Sequence, residues 1–192
     1  GIALHRDPAP HAAPVDLRDR GSNRFLAPLD DEIRDYAFLQ ADTVHIMLPN
    51  GARLYVYTVI DLFSRWAYAE VTEHITAEAS GSFIARAQAT APFPFSMIQT
   101  DNGGEFQKMF RFRIYKLGLT QRYARVRQSN DQAHIERFNR TIQEECLDRT
   151  AQTLRHMRNA LKAWLPYYNS ERIHMGLNYK TPVEMLQAVP RS

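Results

Sequence analysis

Three acids in this 192-residue chain, Asp42, Asp101 and Glu136, have surroundings in which a carboxylate could do chemistry. Asp42 lies in an apolar run with Leu39, Val44 and Ile46, where an ionised side chain is costly unless something positive answers it. An arginine would serve, and so would a metal. Asp101 closes Met97-Ile98-Gln99-Thr100 and is followed by Asn102-Gly103-Gly104-Glu105-Phe106, so it stands at the rim of a strand, where capping the next helix competes with metal binding. Glu136 follows the apolar Ile135 on a polar stripe with Gln132, Asn139, Arg140 and Gln143, a pattern that a solvated helix face would also produce. Together the three supply oxygen ligands with no His or Cys cluster beside them, a donor set suited to Mg²⁺ or Mn²⁺. Two such ions about 3.5–4 Å apart can activate an attacking oxygen and stabilise a leaving one at a phosphodiester.

Charge supports a polyanionic partner. The whole chain carries only +3, but from Lys108 to Arg140 nine basic residues (Lys108, Arg111, Arg113, Lys116, Arg122, Arg125, Arg127, Arg137, Arg140) face two acids, Asp131 and Glu136. That segment is +7 and the remainder is −4, an asymmetry expected of a basic surface that meets phosphates, although a solvated helix face would look similar. Asn139 and Arg140 share the side of Glu136 and are candidates for phosphate contact or, for Arg140, for the site itself; His134 precedes the same helix face. Asp61 also ends a strand, but the following Leu62-Phe63-Ser64-Arg65 reads as a turn that its side chain caps. The lone Cys146 provides neither an internal disulfide nor a zinc site with several thiolates. That cysteine usage fits a reducing, intracellular setting, and no run approaches the roughly 20 apolar residues of a membrane span, so membrane insertion is not expected.

These residues need elements to hold them. Residues 1–30 contain four of the ten prolines and read as a linker or N-terminal arm ahead of a domain over 31–192; a first residue other than Met suggests that an upstream module has been removed. Phe38 to Leu48 and Leu54 to Asp61 read as strands joined at Pro49-Asn50-Gly51, and a third strand covers Trp66 to Val71. Thr76 caps a helix to about Thr90 with Phe83, Ile84 and Ala87 inward; Met97–Thr100 is a short strand. Phe106, Met109, Phe110, Ile114 and Leu117 predict a core-facing helix ended by Gly118, and Leu119–Ala124 a last strand. Ser129 and Gln132 have the spacing of a capping box before a helix with Ile135, Phe138, Ile142 and Cys146 inward. A helix from Thr153 to Tyr168 and a short one opened by Thr181-Pro182-Val183-Glu184 follow. The order predicts an α/β protein with a mixed five-stranded sheet flanked by helices, in which acids on the first and fourth strands become neighbours.

From about Tyr36 to Leu186 the chain resembles the catalytic core of the DDE transposases of bacterial insertion sequences and of retroviral integrases. The resemblance is carried by Leu39-Gln40-Ala41-Asp42-Thr43, Ile60-Asp61-Leu62-Phe63-Ser64-Arg65, Thr100-Asp101-Asn102-Gly103-Gly104-Glu105-Phe106, Glu136-Arg137-Phe138-Asn139-Arg140-Thr141, and Tyr168-Asn169 through Arg172 and His174 to Thr181-Pro182. It implies a ribonuclease-H-like fold and assigns catalysis and metal binding to Asp42, Asp101 and Glu136, with Mg²⁺ or Mn²⁺, as two ions, as the cofactor. Gln132 stands where relatives usually have Asn, and Ile173 where they usually have Pro. The function implied is DNA cleavage at element ends and joining of the 3′-hydroxyl to target DNA, in a homo-oligomer at the bacterial nucleoid. A nuclease of the same fold that only hydrolyses, or a non-catalytic DNA-binding remnant, are the alternatives. Expected DNA contacts are Lys108, Arg111, Lys116, Arg122, Arg125, Arg127, Asn139 and Arg140.

Overall fold

The first apolar run forms the middle strand of a sheet, its side chains turned alternately to the two faces. The computed structural model describes residues 37–124 and 132–188; the expected arm, Ser129, Arg125 and Arg127 lie outside the described residues. β1 (Phe38–Met47) and β2 (Arg53–Asp61) pair antiparallel, Leu39 opposite Asp61 and Met47 opposite Arg53. The Asn-Gly turn forms as its sequence predicts: Gly51 takes φ +82, which a β-carbon would oppose, and Leu48 N–H donates to the Ala52 carbonyl at 2.8 Å. β3 (Ala67–Thr72) lies antiparallel to β2, whereas β4 (Met97–Thr100) runs parallel to β1 and β5 (Thr120–Tyr123) parallel to β4. The order β3-β2-β1-β4-β5 is the mixed five-stranded sheet that the sequence predicts.

Helices cover both faces. α1 (Ala77–Thr90) and α2 (Lys108–Lys116) bury Phe83, Ile84, Ala87, Phe110 and Ile114 against Leu39, Ala41, Tyr57 and Val59. On the opposite face α3 (Ala133–Glu145) and α4 (Leu154–Ser170) bury Ile135, Phe138, Ile142, Met157 and Leu161 against Val56, Ile60 and Val71. Thr76 Oγ1 accepts from Ala79 N–H at 3.0 Å, the expected cap of α1. Thr181 and Glu184 exchange bonds of 2.8 and 3.2 Å, the expected capping box of α5 (Pro182–Ala188). Two expectations for the helices are corrected: Gln132 is itself the N-cap of α3 and makes no side-chain cap bond, and the inner row of α2 differs. A 3₁₀ turn at Gly104–Phe106 precedes α2 and resets its phase, so Phe106, Phe110 and Ile114 line the inner row while Met109 faces water.

Side chains from the terminal motif fasten α4 to the sheet. Asn169 mimics a strand: its Oδ1 accepts from Ala67 N–H and its Nδ2 donates to the Ala67 carbonyl, both at 2.9 Å and both buried. Arg172 grips Glu145 with Nη2 and Nε at 2.7 and 2.9 Å, tying the end of α4 to the end of α3. Asp61 is the turn cap that its context suggests, with Ser64 N–H and Oγ donating to Oδ2 at 2.8 and 2.6 Å.

Two outcomes follow. Asn169→Ala strands two buried backbone groups and should cost about 2–3 kcal/mol in urea unfolding. Burial, reinforced by nearby arginines, pushes the His134 and His174 imidazoles down to about 4. Protons that the unfolded chain binds near pH 6.5 are therefore refused by the folded one. The stability from these two groups is complete above that pH and is lost as pH falls toward 4, so melting temperature should drop between pH 7 and 4.5, with a shallower drop in His174→Gln.

Candidate active site

The strand period decides which side Asp42 serves. Gln40, on the same face, accepts from the Ile135 backbone N–H of α3 at 3.0 Å, so two residues on Asp42 also lies under α3. The parallel register decides its neighbour. Phe38 pairs with Met97, Leu39 with Ile98 and Gln40 with Gln99, and the same offset sets Asp42 level with Asp101 on a strand about 4.8 Å away. The expected proximity of acids on the first and fourth strands is thus a consequence of pairing. Asp101 does not cap α2. Its Oδ1 accepts from Gly103 N–H at 2.9 Å, and the α2 cap position belongs to Gln107. A β-carbon on Gly103 would stand 2.7 Å from Glu105 Oε2 and 3.0 Å from Asp101 Oδ1, so a side chain there would crowd both carboxylates over the turn.

Asp42 is held by neutral donors. Thr43 N–H donates to Oδ1 and Asn139 Nδ2 to Oδ2, each at 2.8 Å, while Thr58 Oγ1 donates to Asn139 Oδ1 at 2.8 Å. Burial pushes its carboxyl above the usual aspartate range; the Asp101 and Glu105 carboxylates push in the same direction, and the two hydrogen bonds oppose them. Among the described residues no arginine or lysine is among the groups that shift Asp42.

Glu136 is exposed on the first turn of α3, three residues before Asn139 and so on the same helical side by about one turn. Among the described residues no three His, Cys, Asp or Glu side chains stand close enough together to hold a metal. What the fold assembles is the Asp42–Asp101 pair with Glu105 near it, and Glu136 is not among the groups that act on Asp42. The donor chemistry nevertheless fits a hard divalent cation: oxygen-only, anionic and, among the described residues, without a basic partner acting on Asp42.

The expected DNA contacts divide. Lys108, Arg111, Lys116 and Arg140 are exposed, and Arg122 is half-buried with its guanidinium 5.9 Å from the Phe38 ring centroid. Arg125 and Arg127 lie outside the described residues. Asn139 is corrected: it is buried and both ends of its amide are spent on Asp42 and Thr58, because the helix that carries it packs directly on the sheet. His134 is depressed by burial and then by the Arg65 charge, and is not among the groups acting on Asp42. Glu105 and Thr58 escaped sequence reasoning. Glu105 had a signal, a second acid four residues past Asp101, whereas Thr58 became visible only as the partner of Asp42 across the β1–β2 register.

Two profiles of the integrase core domain match the chain, over residues 34–129 and 117–182. A 31.7 kDa protein of insertion element IS407 from Burkholderia multivorans is 34% identical over 149 residues, 74% of this chain and 52% of the relative. The putative transposase InsK of insertion sequence element IS150 from Escherichia coli is 28% identical over 141 residues, 70% of this chain and 49% of the relative. The chain therefore spans about half the length of these relatives. Among solved structures, the HTLV-2 integrase catalytic core domain in complex with magnesium superposes with a TM-score of 0.62 at 19% identity, covering 79% of this chain and 95% of that one. A chain of the simian T-cell lymphotropic virus intasome in complex with PP2A regulatory subunit B56 gamma gives a TM-score of 0.68 at 20% identity, covering 80% of this chain and 55% of that one. The fold is that of integrase catalytic cores, ribonuclease-H-like, and the chain belongs to the integrase core domain family.

Proposed function

We propose that this chain is the catalytic core of an insertion-sequence transposase, a divalent-metal-dependent polynucleotidyl transferase that cleaves DNA at element ends and joins the freed 3′-hydroxyl to target DNA. The observation that carries the reading is the parallel register that sets Asp42 level with Asp101, in a chain of the integrase core domain family. In the first step a water oxygen attacks phosphorus, the P–O3′ bond breaks and the element's 3′-hydroxyl is freed beside a 5′-phosphate; in the second that 3′-hydroxyl attacks a target phosphorus, the target P–O3′ bond breaks and the target's 3′-hydroxyl leaves. Bound Mg²⁺ or Mn²⁺, as two ions, would supply charge stabilisation for the attacking and leaving oxygens.

The residues of the chain do the positioning. Asp42 and Asp101 offer carboxylate oxygens from adjacent strands, Glu136 completes the set from α3, and Asn139 fixes the rotamer of Asp42 so that one oxygen stays turned toward its own backbone. Lys108, Arg111, Lys116, Arg122, Arg125, Arg127 and Arg140 meet phosphates. The substrate places the protein at the nucleoid of the bacterial cytoplasm, and two element ends held together call for a homo-oligomer. Among the described residues no helix is long and apolar enough to cross a membrane.

Asp101→Asn and Glu136→Gln should each lower Mn²⁺-dependent cleavage and joining of an element-end duplex by about 10²-fold or more, with thermal unfolding nearly unchanged. Full joining activity in Asp101→Asn would overturn the reading. Wild-type activity in Glu136→Gln together with loss in Glu105→Gln would move the third carboxylate role to Glu105. Products of hydrolysis without joining would assign the hydrolytic alternative. Asn139→Ala should cost about 1–2 kcal/mol of stability and raise the Mn²⁺ concentration needed for half-maximal rate, because Asp42 loses its side-chain donor.

A further inference from the structure

The helix that follows the Asp101 turn leaves an apolar row uncovered. Phe110 and Ile114 of α2 enter the core, whereas Met109, Phe112 and Tyr115 are 57%, 51% and 75% exposed. Large apolar side chains gathered on one face of a short helix call for a partner. Lys108, Arg111 and Lys116 are exposed on the same helix, and no acid occurs from Lys108 to Ala124. The Lys116 ammonium lies 4.6 Å from the Phe112 ring centroid, and the Arg111 guanidinium 5.5 Å from that of Tyr123 on the edge strand β5. Arg113 takes no part: it pairs with Glu78 and packs its stem where Gly81 leaves room. Rings and cations therefore intermingle along roughly 12 Å of helix.

We infer that this face binds an unpaired DNA strand, with bases stacked on Phe112 and Tyr115 and phosphates met by Lys108, Arg111 and Lys116. The inference rests on the proposed action on DNA and adds the form of DNA held here and the residues that hold it. A duplex backbone would use the cations and leave the rings in water. Unpaired bases present π faces that cover the rings while the phosphates alongside answer the charges. A second copy of the chain seated here about a two-fold axis would set three cations against three with no acid on either helix, so like charges disfavour that occupant.

The test uses the full chain in EDTA, with fluorescence anisotropy of a labelled oligothymidylate and of a duplex of equal length over a salt series. Phe112→Ala with Tyr115→Ala should weaken single-strand binding about tenfold or more, leave the salt slope unchanged and leave duplex affinity within about twofold. Thermal unfolding should not move, because both rings are exposed. Neutralising Lys108, Arg111 and Lys116 together should flatten the salt slope. Wild-type single-strand affinity in the aromatic variant would overturn the inference, as would equal losses on single strand and duplex. Loss of self-association in sedimentation with DNA affinity retained would give the face to a second copy. Failure of metal-dependent cleavage by the wild-type chain, with ring-dependent strand binding intact, would sink the catalytic reading and leave this one standing.

Discussion

An ionised carboxylate on a sheet face that a helix covers is tolerated only when its charge is answered, and Asp42 is answered by neutral donors. The Asn139 amide and the Thr43 N–H each donate to one oxygen, and Thr58 holds the far end of the amide. A lysine or arginine in their place would have stabilised the charge more strongly and also cancelled it. Hydrogen bonds orient the group without neutralising it, and the Asp101 and Glu105 carboxylates act on Asp42 as like charges near the end of β4. Burial and those like charges together lift the Asp42 carboxyl above the ordinary range, which is the electrostatic condition that a divalent cation relieves.

That arrangement requires α3 to be held at a fixed height and rotation. Two polar links to the sheet do this, Ile135 N–H to Gln40 and Asn139 to Asp42, with Ile135, Phe138 and Ile142 filling the space between. At its far end α3 is joined to α4 through Glu145 and Arg172, and α4 is joined to the outer part of the sheet through Asn169 and Ala67. The loop from Asp61 to Arg65 completes the frame. Asp61 caps it, Arg65 accepts φ +64, and the Arg65 charge reaches both His134 on α3 and Tyr168 on α4. The motif residues that look functional in a bare sequence thus divide into two groups: those that carry charge at the end of β4, and those that lock the covering helices.

The basic segment divides in a comparable way. Arg113 is consumed by packing between α1 and α2, where Gly81 leaves no β-carbon in its path, while Lys108, Arg111 and Lys116 remain in water. A count of cations therefore overstates the charge available to a partner. Aromatic exposure on the same helix carries information that the charge count lacks, since rings beside cations favour a ligand with both faces and phosphates.

Local chemistry was legible without a structure. The Asn50-Gly51 turn, the Thr76 cap, the Thr181–Glu184 capping box and the Asp61 turn depend on residues at most three or four apart, and each forms as its sequence reads. The strand order was legible only as far as the proximity of Asp42 and Asp101, which follows from parallel pairing of β1 with β4. Other features depended on contacts between distant segments. Met109 faces water because a 3₁₀ turn shifts the phase of α2. Asn139, on a stripe that looks solvated, is buried because the partners of its amide lie 97 and 81 residues earlier in the chain. Glu105 and Asp101 both place a carboxylate oxygen over Gly103, where a β-carbon would crowd them. A sequence specifies caps and turns through bonds within one turn of chain. It leaves the orientation of a polar helix residue to whichever surface the helix comes to cover, and that surface exists only once the sheet has assembled.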